Sequence, residues 1–416
     1  MVYAKQQYAA AFDLGQLVDT RERRQIVGDF TVTLLDQMAG RTYPDTIVHA
    51  MTDYDTHGFT VAPYSQLKHP LRTRFWSYLP YRCLLPKGLE GILVSGIGIS
   101  AQRDAQPLVR MQPDVQNQGY AAGMAAAMSA RSGLPLRKID IRALQRYLVE
   151  IGNLPAEVLE HEDSFPATDD QLAAAVESIR GESEGLAVVL AHAGRTLPLL
   201  QQAHEASEGR DKLAYAKILG MLGDAAGLQT LIAAVQAAEA WDETPSYQIK
   251  SDYPDYRDVG WSMSKLDNTI VALGRTGRRE AVPAVLEKLK LLEPKSAFSH
   301  YRSVTLALEA IGDPQAAQPL AELLRQPGMT GHVHLPLDEA ATEGEPAQDM
   351  DTSERVRTAW NAANRSNAVR ELALARALFR CGDHEGLGKK ILTRYTRDLR
   401  GHFARHAKAV LESPRR

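Results

Sequence analysis

The sequence has few of the residues from which a disulfide framework or a metal site is built. Its 416 residues include only two cysteines, Cys83 and Cys381, which lie far apart and have no Cys-x-x-Cys partner. This spacing favours neither a zinc site nor a disulfide, and we predict that both cysteines are buried free thiols. His332 and His334 match no common metal-ligand spacing either, so the sequence predicts no metal.

Charge of one sign and long apolar runs are also lacking. The formal net charge is −3, which gives no bulk attraction to nucleic acid or to an anionic membrane. No apolar run approaches the roughly 18 residues of a membrane span, and the first residues lack the basic and apolar regions of a signal peptide. We expect a soluble, cytoplasmic protein without nucleic-acid or membrane partners, unless an upstream export segment is missing.

The residues that are present change character along the chain. The length allows two or three domains, each with its own core. Up to about Leu154, β-branched runs such as "QIVGDFTVTLL" and turn signals such as "LPKGLEG" are typical of an α/β or α+β domain. After "HEDSFPATDD" the apolar residues recur at helical spacing. The sequence therefore predicts an α/β (α+β) domain over residues 1–160 and an all-α domain over residues 168–416.

A short pattern repeats in the second half. Apolar helical stretches end at a glycine five times, at Gly194, Gly223, Gly277, Gly312 and Gly382. Glycine is the usual residue at the C′ position of a helix, where φ is positive. A polar turn and a second amphipathic helix follow each of these glycines, as in "EAVPAVLEKLKLL" and "PQAAQPLAELLRQ". These pairs resemble HEAT-type repeats, which stack into an α-solenoid.

Two insertions interrupt these repeats, near residues 240–261 and 328–368. The first is rich in Tyr, Asp and Trp. It is either a binding loop that projects from one face or a surface excursion pinned by Trp241 and Trp261.

The most informative stretch of the first half is "GILVSGIGISAQRDAQPLVRMQPDVQNQGYAAGMAAAMSARSG". Gly96-Ile-Gly98-Ile-Ser-Ala101 matches the start of a dinucleotide-binding turn, but Pro107 and Pro113 would interrupt the helix that this turn requires. We therefore predict a strand before Gly96, a glycine turn, a loop, and a helix from about Pro113 to Gly133. The small residues of that helix favour close approach of a flat ligand or of another backbone, and we expect a leucine at Gly123 to overpack it.

This arrangement, together with "TRERRQIVGDFTVTLLD" and "YDTHGF" upstream, resembles the C-terminal flavin-binding segment of FAD-dependent oxidoreductases of the xanthan-lyase-like group. The resemblance covers about Val18 to Asn153. It implies a flavin site whose residues lie at the glycine turn and on the small-residue helix: Gly96, Gly98, Ile99, Ser100, Arg110, Gln118, Gly119, Ala121 and Gly123. For Gly96, Gly98, Gln118, Gly119 and Gly123 the alternative is tight packing of helix on strand. Gly98 and Ile99 occupy positions where the family commonly has Arg-Cys.

Two further features carry candidate roles. His57 in "YDTHGF" has a side chain suited to proton transfer near neutral pH, and it is either a catalytic acid or base or a hydrogen-bonded loop histidine. Arg21, Arg23 and Arg24 form a basic cluster that either holds an anionic substrate or the ring carbonyls of the flavin, or lies on a solvated or salt-bridged face.

The family places a βαβ unit with G-x-G-x-x-G at its N-terminus, and the printed sequence contains no such motif. The leading hypothesis is an FAD-dependent oxidoreductase, present here as its C-terminal portion and fused to HEAT-type repeats. This portion would reach the flavin ring and would not retain FAD alone. A polypeptide carrying the missing βαβ unit and a protein bound to the solenoid are the expected partners. The alternative is a non-catalytic HEAT-repeat binding module capped by a degenerate flavoprotein remnant.

Overall fold

The computed structural model describes residues 24–52, 54, 60–68, 75–180, 185–242, 263–335 and 362–413. The chain divides into two units. Unit 1 comprises Met1–Thr56 and Leu71–Pro166, and unit 2 comprises His57–Pro70 and Ala167–Arg416. The second unit therefore includes a short segment that lies, in sequence, inside the first.

The first part of the chain contains a hairpin and a few helices. In chain order its helices and strands are α1 (Leu34–Met38), β1 (Thr46–Thr52), α2 (Pro63–Leu67), β2 (Phe75–Pro80), α3 (Gln112–Ser132) and α4 (Ile141–Glu150). All of them except α2 belong to unit 1. β1 and β2 pair antiparallel, with Ala50 opposite Ser77. The described residues of unit 1 show no parallel strands, and the α/β character of this half stays a prediction.

Helix α3 has the bounds that the sequence predicts. Pro113 lies at its start, Asp114 lies in its first turn, and the chain leaves the helix at Gly133 with φ of 69°. Proline is favoured at a helix start because the N–H that it lacks would have no hydrogen-bond partner there. Glycine adopts the left-handed conformation at a helix end without strain. The predicted helix is confirmed.

The strand predicted before Gly96 is wrong. Residues 91–95 have no strand assignment, and Gly96–Gly98 forms one turn of 3₁₀ helix. A strand needs a neighbour to receive its backbone hydrogen bonds, and the hairpin of the described chain does not extend to this segment. Val94 donates instead to the carbonyl of Leu84 at 2.9 Å.

An ion pair joins the end of unit 1 to its beginning. Arg41 Nε donates to Asp163 Oδ1 at 2.9 Å, and Arg41 also pairs with Asp36 on α1 at 2.8 Å. The Thr42 hydroxyl donates to the carbonyl of Glu162 at 2.7 Å. These contacts hold residues 162–163 to the loop before β1.

Unit 2 consists of helices in its described part. They are α2 together with α5 (Asp169–Glu177), α6 (Leu186–Ala191), α7 (Ala193–Glu205), α8 (Gly209–Met221), α9 (Leu228–Gln236), α10 (Lys265–Arg275), α11 (Val282–Leu289), α12 (Phe298–Ile311), α13 (Ala317–Leu324), α14 (Ala362–Arg380), α15 (Leu387–Tyr395) and α16 (Gly401–Glu412). Among all described helices, none is long and apolar enough to cross a membrane.

The repeat pattern corresponds to pairs of helices. Gly223, Gly277, Gly312 and Gly382 all have positive φ between the two helices of a pair, as predicted. Gly194 is different, because it lies inside α7 and the break falls at His192, whose φ of −115° separates α6 from α7. The prediction that Gly194 ends a helix is therefore wrong.

The first helices of successive pairs pack directly on one another. α8 contacts α10, α10 contacts α12, and α12 contacts α14. A Cβ atom added at Gly274 on α10 would lie 2.2 Å from the Ala307 Cα of α12, so the two backbones approach closely. This succession of neighbouring contacts is consistent with the predicted helical solenoid.

Candidate functional site

Gln118 joins the glycine turn to α3. The Gly96 N–H donates to Gln118 Oε1 at 2.9 Å, and Gln118 Nε2 donates to the carbonyl of Val109 at 2.6 Å. Gly96 has a φ of 73°, which glycine adopts readily. The Gln118 side chain is fully buried, and both ends of its amide are used inside unit 1. Its first role is to fix the position of the turn.

The other residues of the turn hold the segment that precedes α1. The carbonyl of Gly98 accepts from the Ile26 N–H at 3.0 Å, and the carbonyl of Ser100 accepts from the Val32 N–H at 3.1 Å. The Ser100 hydroxyl lies 2.7 Å from the Thr31 hydroxyl. Ile99 is fully buried. Gly98, Ile99 and Ser100 thus form part of the internal structure of unit 1, and a contact of theirs with flavin stays a prediction.

The glycines of α3 lie on a different face from Gln118. Gly119 and Gly123 are exposed, and a Cβ atom added at either would meet no atom within 4 Å. The expectation that a leucine at Gly123 would overpack the helix is therefore wrong. Ala121, by contrast, is fully buried. Helix α3 has a buried side and an open face of small residues.

The start of α3 contains a buried acidic side chain. Asp114 is 5% exposed, and its Oδ1 accepts from the Met51 N–H of β1 at 3.4 Å. Its Oδ2 has no hydrogen-bond partner among the described residues. Burial raises the pKa of Asp114 to about 6, because a charged carboxylate is poorly solvated there. The N-cap residue, Met111, makes no side-chain hydrogen bond to the helix start.

Three more buried polar side chains lie on elements that pack around β1. The amide of Gln106 is buried in the 3₁₀ turn Arg103–Leu108, which contacts both strands. Thr52 and Ser77 lie on β1 and β2. No hydrogen bond to the Gln106 amide or to either hydroxyl is present in the described part of the chain. We call Thr52, Ser77, Gln106 and Asp114 the buried polar set.

Sequence reasoning missed the buried polar set. Asp114 follows Pro113 as an acidic residue near a predicted helix start, and the other three carry no motif. Their common property is burial without partners, which depends on contacts between segments distant in sequence. No signal in the sequence alone identifies them.

Some of the remaining predicted residues lie in the described part of the chain, and others lie outside it. Arg110 is buried beside the start of α3, next to Met111. Arg24 is exposed, which agrees with a solvated face. His57, Arg21 and Arg23 lie outside the described residues, as does Trp261. The histidines of the second insertion have structural contacts: the His332 N–H donates to Glu371 and the His334 N–H to Asp398.

Two family models match parts of the chain. Residues 2–148 match the family described as FAD dependent oxidoreductase. Residues 301–326 match the PBS lyase HEAT-like repeat, and this match spans most of the α12–α13 pair. The comparisons with curated proteins and with solved structures found no match.

These matches confirm the resemblance read from the sequence at the level of the two families. The chain carries an FAD-dependent-oxidoreductase-like segment, which includes the glycine turn, the buried polar set and most of α3 and α4, followed by HEAT-like repeat sequence. FAD is the cofactor of that family. Assignment to the xanthan-lyase-like group stays a prediction.

Proposed function

We propose that unit 1 contributes the ring-side part of an FAD site in an oxidoreductase, with the start of α3 and the buried polar set facing the polar edge of the flavin. The observation that carries this proposal is the presence of Gln106 and Asp114, both buried and both with unpartnered polar atoms. Buried polar atoms are normally hydrogen-bonded. A ligand that supplies hydrogen-bond partners to these atoms explains why such polar groups are buried here.

The chemistry of these groups fits the flavin ring, whose polar edge alternates carbonyl oxygens with an N–H group. The Gln106 amide offers both a donor and an acceptor. Because the pKa of Asp114 is raised to about 6, this carboxyl is protonated more readily than an ordinary one and can then donate a hydrogen bond. The uncapped N–H groups of a 21-residue helix favour an electron-rich partner.

When bound, FAD supplies the hydride chemistry, and the residues of this chain orient the ring and exclude water from it. His57 is retained as the candidate proton donor or acceptor on the strength of the resemblance alone. The open face of α3 at Gly119 and Gly123 allows a flat group or a backbone to come close. Arg110 is kept as a candidate flavin contact because it follows the 3₁₀ turn Arg103–Leu108, which contains Gln106.

The dinucleotide end of FAD requires a further element. We propose that a βαβ unit with G-x-G-x-x-G supplies it, either from the same polypeptide or from a second one. Residues 91–95 support this, because they match a strand pattern and yet have no strand partner among the described residues. Leu89 and Ile92 in this region are large apolar side chains that are about half exposed, as expected where another strand or layer packs. A protein partner on the helical repeats also stays a prediction.

Flavin titration of Gly119 variants tests the proposed site. Riboflavin, which has the ring without the pyrophosphate, is added to the purified 416-residue chain and its fluorescence is followed. We expect weak but saturable binding, because riboflavin makes only the ring-side contacts proposed here and none through a pyrophosphate. Gly119→Leu is expected to keep the fold, because Gly119 is exposed and a Cβ atom added there meets no atom within 4 Å, and it is expected to weaken binding at least tenfold.

Ala130→Leu is the matched control, because Ala130 is also exposed on α3 but lies three turns further from its start. It should bind riboflavin as the unsubstituted chain does. Absence of saturable binding at millimolar riboflavin, or equal binding by the Gly119→Leu and Ala130→Leu variants, would show that the start of α3 does not hold a flavin ring.

A further inference from the structure

Residues 60–68, which lie between β1 and β2 in the sequence, pack within the helical unit. The chain leaves unit 1 after Thr56 and returns to it at Leu71. Between these points, α2 packs against α6, α8 and α10. Tyr64, Ser65 and Gln66 of α2 are buried, and Leu67 packs against the apolar core of the repeats. Residues 60–68 are therefore part of unit 2, although the strands on either side belong to unit 1.

Two side chains of the repeats hold the main chain of this segment. The guanidinium of Arg302 on α12 donates to the carbonyl of Thr60. Asn268 Nδ2 on α10 donates to the carbonyl of Leu67 at 3.4 Å. Arg302 and Thr60 are both more than nine-tenths buried. Because both acceptors are backbone carbonyls, these contacts depend on the path of the main chain and not on the side chains of the segment.

A buried network sets the positions of the two donors. Asp267 is fully buried and accepts hydrogen bonds from His300 Nδ1 at 2.9 Å and from the Ser303 hydroxyl at 2.9 Å. These bonds fix α10 against α12. Asn268 directly follows Asp267, and Arg302 lies between the two α12 residues of the network. The positions of both donors are thus held by contacts within the repeats.

The ring of Trp241 stacks on the ring of His300 and so packs against the same network. The two ring centroids are 4.3 Å apart and the ring planes differ by 20°. Trp241 lies just after α9, at the point where the first insertion leaves the repeats. The alternative in which Trp241 and Trp261 pin this insertion stays a prediction, because residues 243–262 lie outside the described part of the chain.

We infer that the helical unit acts as an internal clamp whose ligand is the chain's own segment 60–68. Charged hydrogen bonds to a carbonyl are stronger than neutral ones, and a buried guanidinium that loses its acceptor is costly. The segment is also present at high effective concentration, because it is covalently attached. The repeats thereby hold residues 60–68 in place, a role that goes beyond the proposed function and does not depend on flavin binding.

Hydrogen exchange of the full-length chain, measured by mass spectrometry, tests the clamp. In the Arg302→Met variant and in the Arg302→Met, Asn268→Leu double variant, peptides covering residues 60–68 are expected to exchange at least tenfold faster than in the unsubstituted chain. Peptides covering α10 and α12 should keep their protection. Arg278→Met is the control, because Arg278 is an exposed arginine between α10 and α11, and it should leave the exchange of residues 60–68 unchanged.

Arg302→Lys guards against a trivial loss of folding. Lysine keeps the positive charge but has only one donor nitrogen. Residues 60–68 should then exchange at a rate between those of the unsubstituted chain and Arg302→Met. The inference is overturned if the double variant protects residues 60–68 as well as the unsubstituted chain does. It is equally overturned if α10 and α12 lose as much protection as residues 60–68, since Arg302 would then support the core rather than bind the segment.

Discussion

The Gly96 backbone nitrogen lies 2.9 Å from Gln118 Oε1, so the side-chain amide of Gln118 holds the glycine turn against α3. The second hydrogen bond of the amide, to Val109, ties the loop before α3 to the same helix. A residue that the family resemblance places in the flavin site is therefore also a structural link between three segments. Its substitution affects stability before it affects any ligand.

Gln118→Ala is expected to destabilise the protein. It removes two buried hydrogen bonds and leaves the Gly96 N–H and the Val109 carbonyl without partners, which costs about 2–4 kcal/mol at about 1–2 kcal/mol for each group. Thermal unfolding followed by circular dichroism measures the loss. Gln112→Ala, at an exposed position on the same helix, is the control. An unchanged melting temperature for Gln118→Ala would mean that the amide serves only ligand contact.

Asp114→Asn is expected to stabilise the protein at neutral pH. The folded pKa of Asp114 is about 6 and lies above the unfolded value near 3.8, so the folded state binds the proton more tightly. Stability must then fall as pH rises from about 4 to about 6, and the penalty is present in full above that window. We expect a gain of about 1–2 kcal/mol at pH 7.5, discounted for solvent screening.

Urea denaturation at pH 4, 5, 6 and 7.5 measures this effect. The curve of stability against pH should be flatter for Asp114→Asn than for the unsubstituted chain, and the two should converge near pH 4. Glu150→Gln removes one negative charge from an exposed position and controls for net charge. If Asp114→Asn lowers stability at pH 7.5, the charged carboxylate has a favourable partner and its pKa is not raised.

Two glycines should respond in opposite directions to the same substitution. Gly123→Ala places a methyl group in open space inside a helix, and glycine is less favourable than alanine there by about 0.5–1 kcal/mol. Gly274→Ala places a methyl group 2.2 Å from the Ala307 Cα, and the overpacking costs about 1–3 kcal/mol or more. Melting temperatures of the two variants compare them directly. A neutral Gly274→Ala would mean that α10 and α12 separate easily.

Both cysteines should resist modification in the folded protein. Cys83 and Cys381 are fully buried free thiols, as the sequence predicts. Burial raises the pKa of Cys83, and it raises the pKa of Cys381 to about 12. Because the thiolate is the reactive form, a disulfide reagent at pH 8 should label neither thiol until urea is added, and two equivalents should then react. Rapid native labelling of one equivalent would contradict the burial of that thiol.

The features that the sequence predicted are those set by local rules. α3 ends at Gly133 because the chain turns left-handed there, and the same rule places Gly223, Gly277, Gly312 and Gly382 between paired helices. The rule fails at Gly194 because His192, rather than the glycine, adopts the non-helical conformation. His192 bonds locally to Val188 and accepts from the distant Ala167 N–H. The positions of the glycines alone do not predict such a contact between distant residues.

The features that the sequence did not predict depend on distant partners. The apolar run before Gly96 has the pattern of a strand, but a pattern cannot supply the neighbouring strand. Gln106 and Asp114 look like ordinary polar residues until the packing of β1 buries them. Asp267 and His300 come from different repeats, and only the stacking of α10 on α12 brings them within 2.9 Å. At the candidate site, the family resemblance identified the segment, and burial identified the further polar groups.

The hydrogen bond between Thr60 and Arg302 spans 242 positions of the sequence. During synthesis on the ribosome, Thr60 emerges long before Arg302, and Asn268 follows Leu67 by 201 positions. Contacts of such separation form late, because loop closure must precede them. The carbonyls of Thr60 and Leu67 therefore lack these two donors until most of the chain has been translated. A nascent chain stalled before Arg302 should remain sensitive to protease in this segment, and completion of α12 should be the event that protects it.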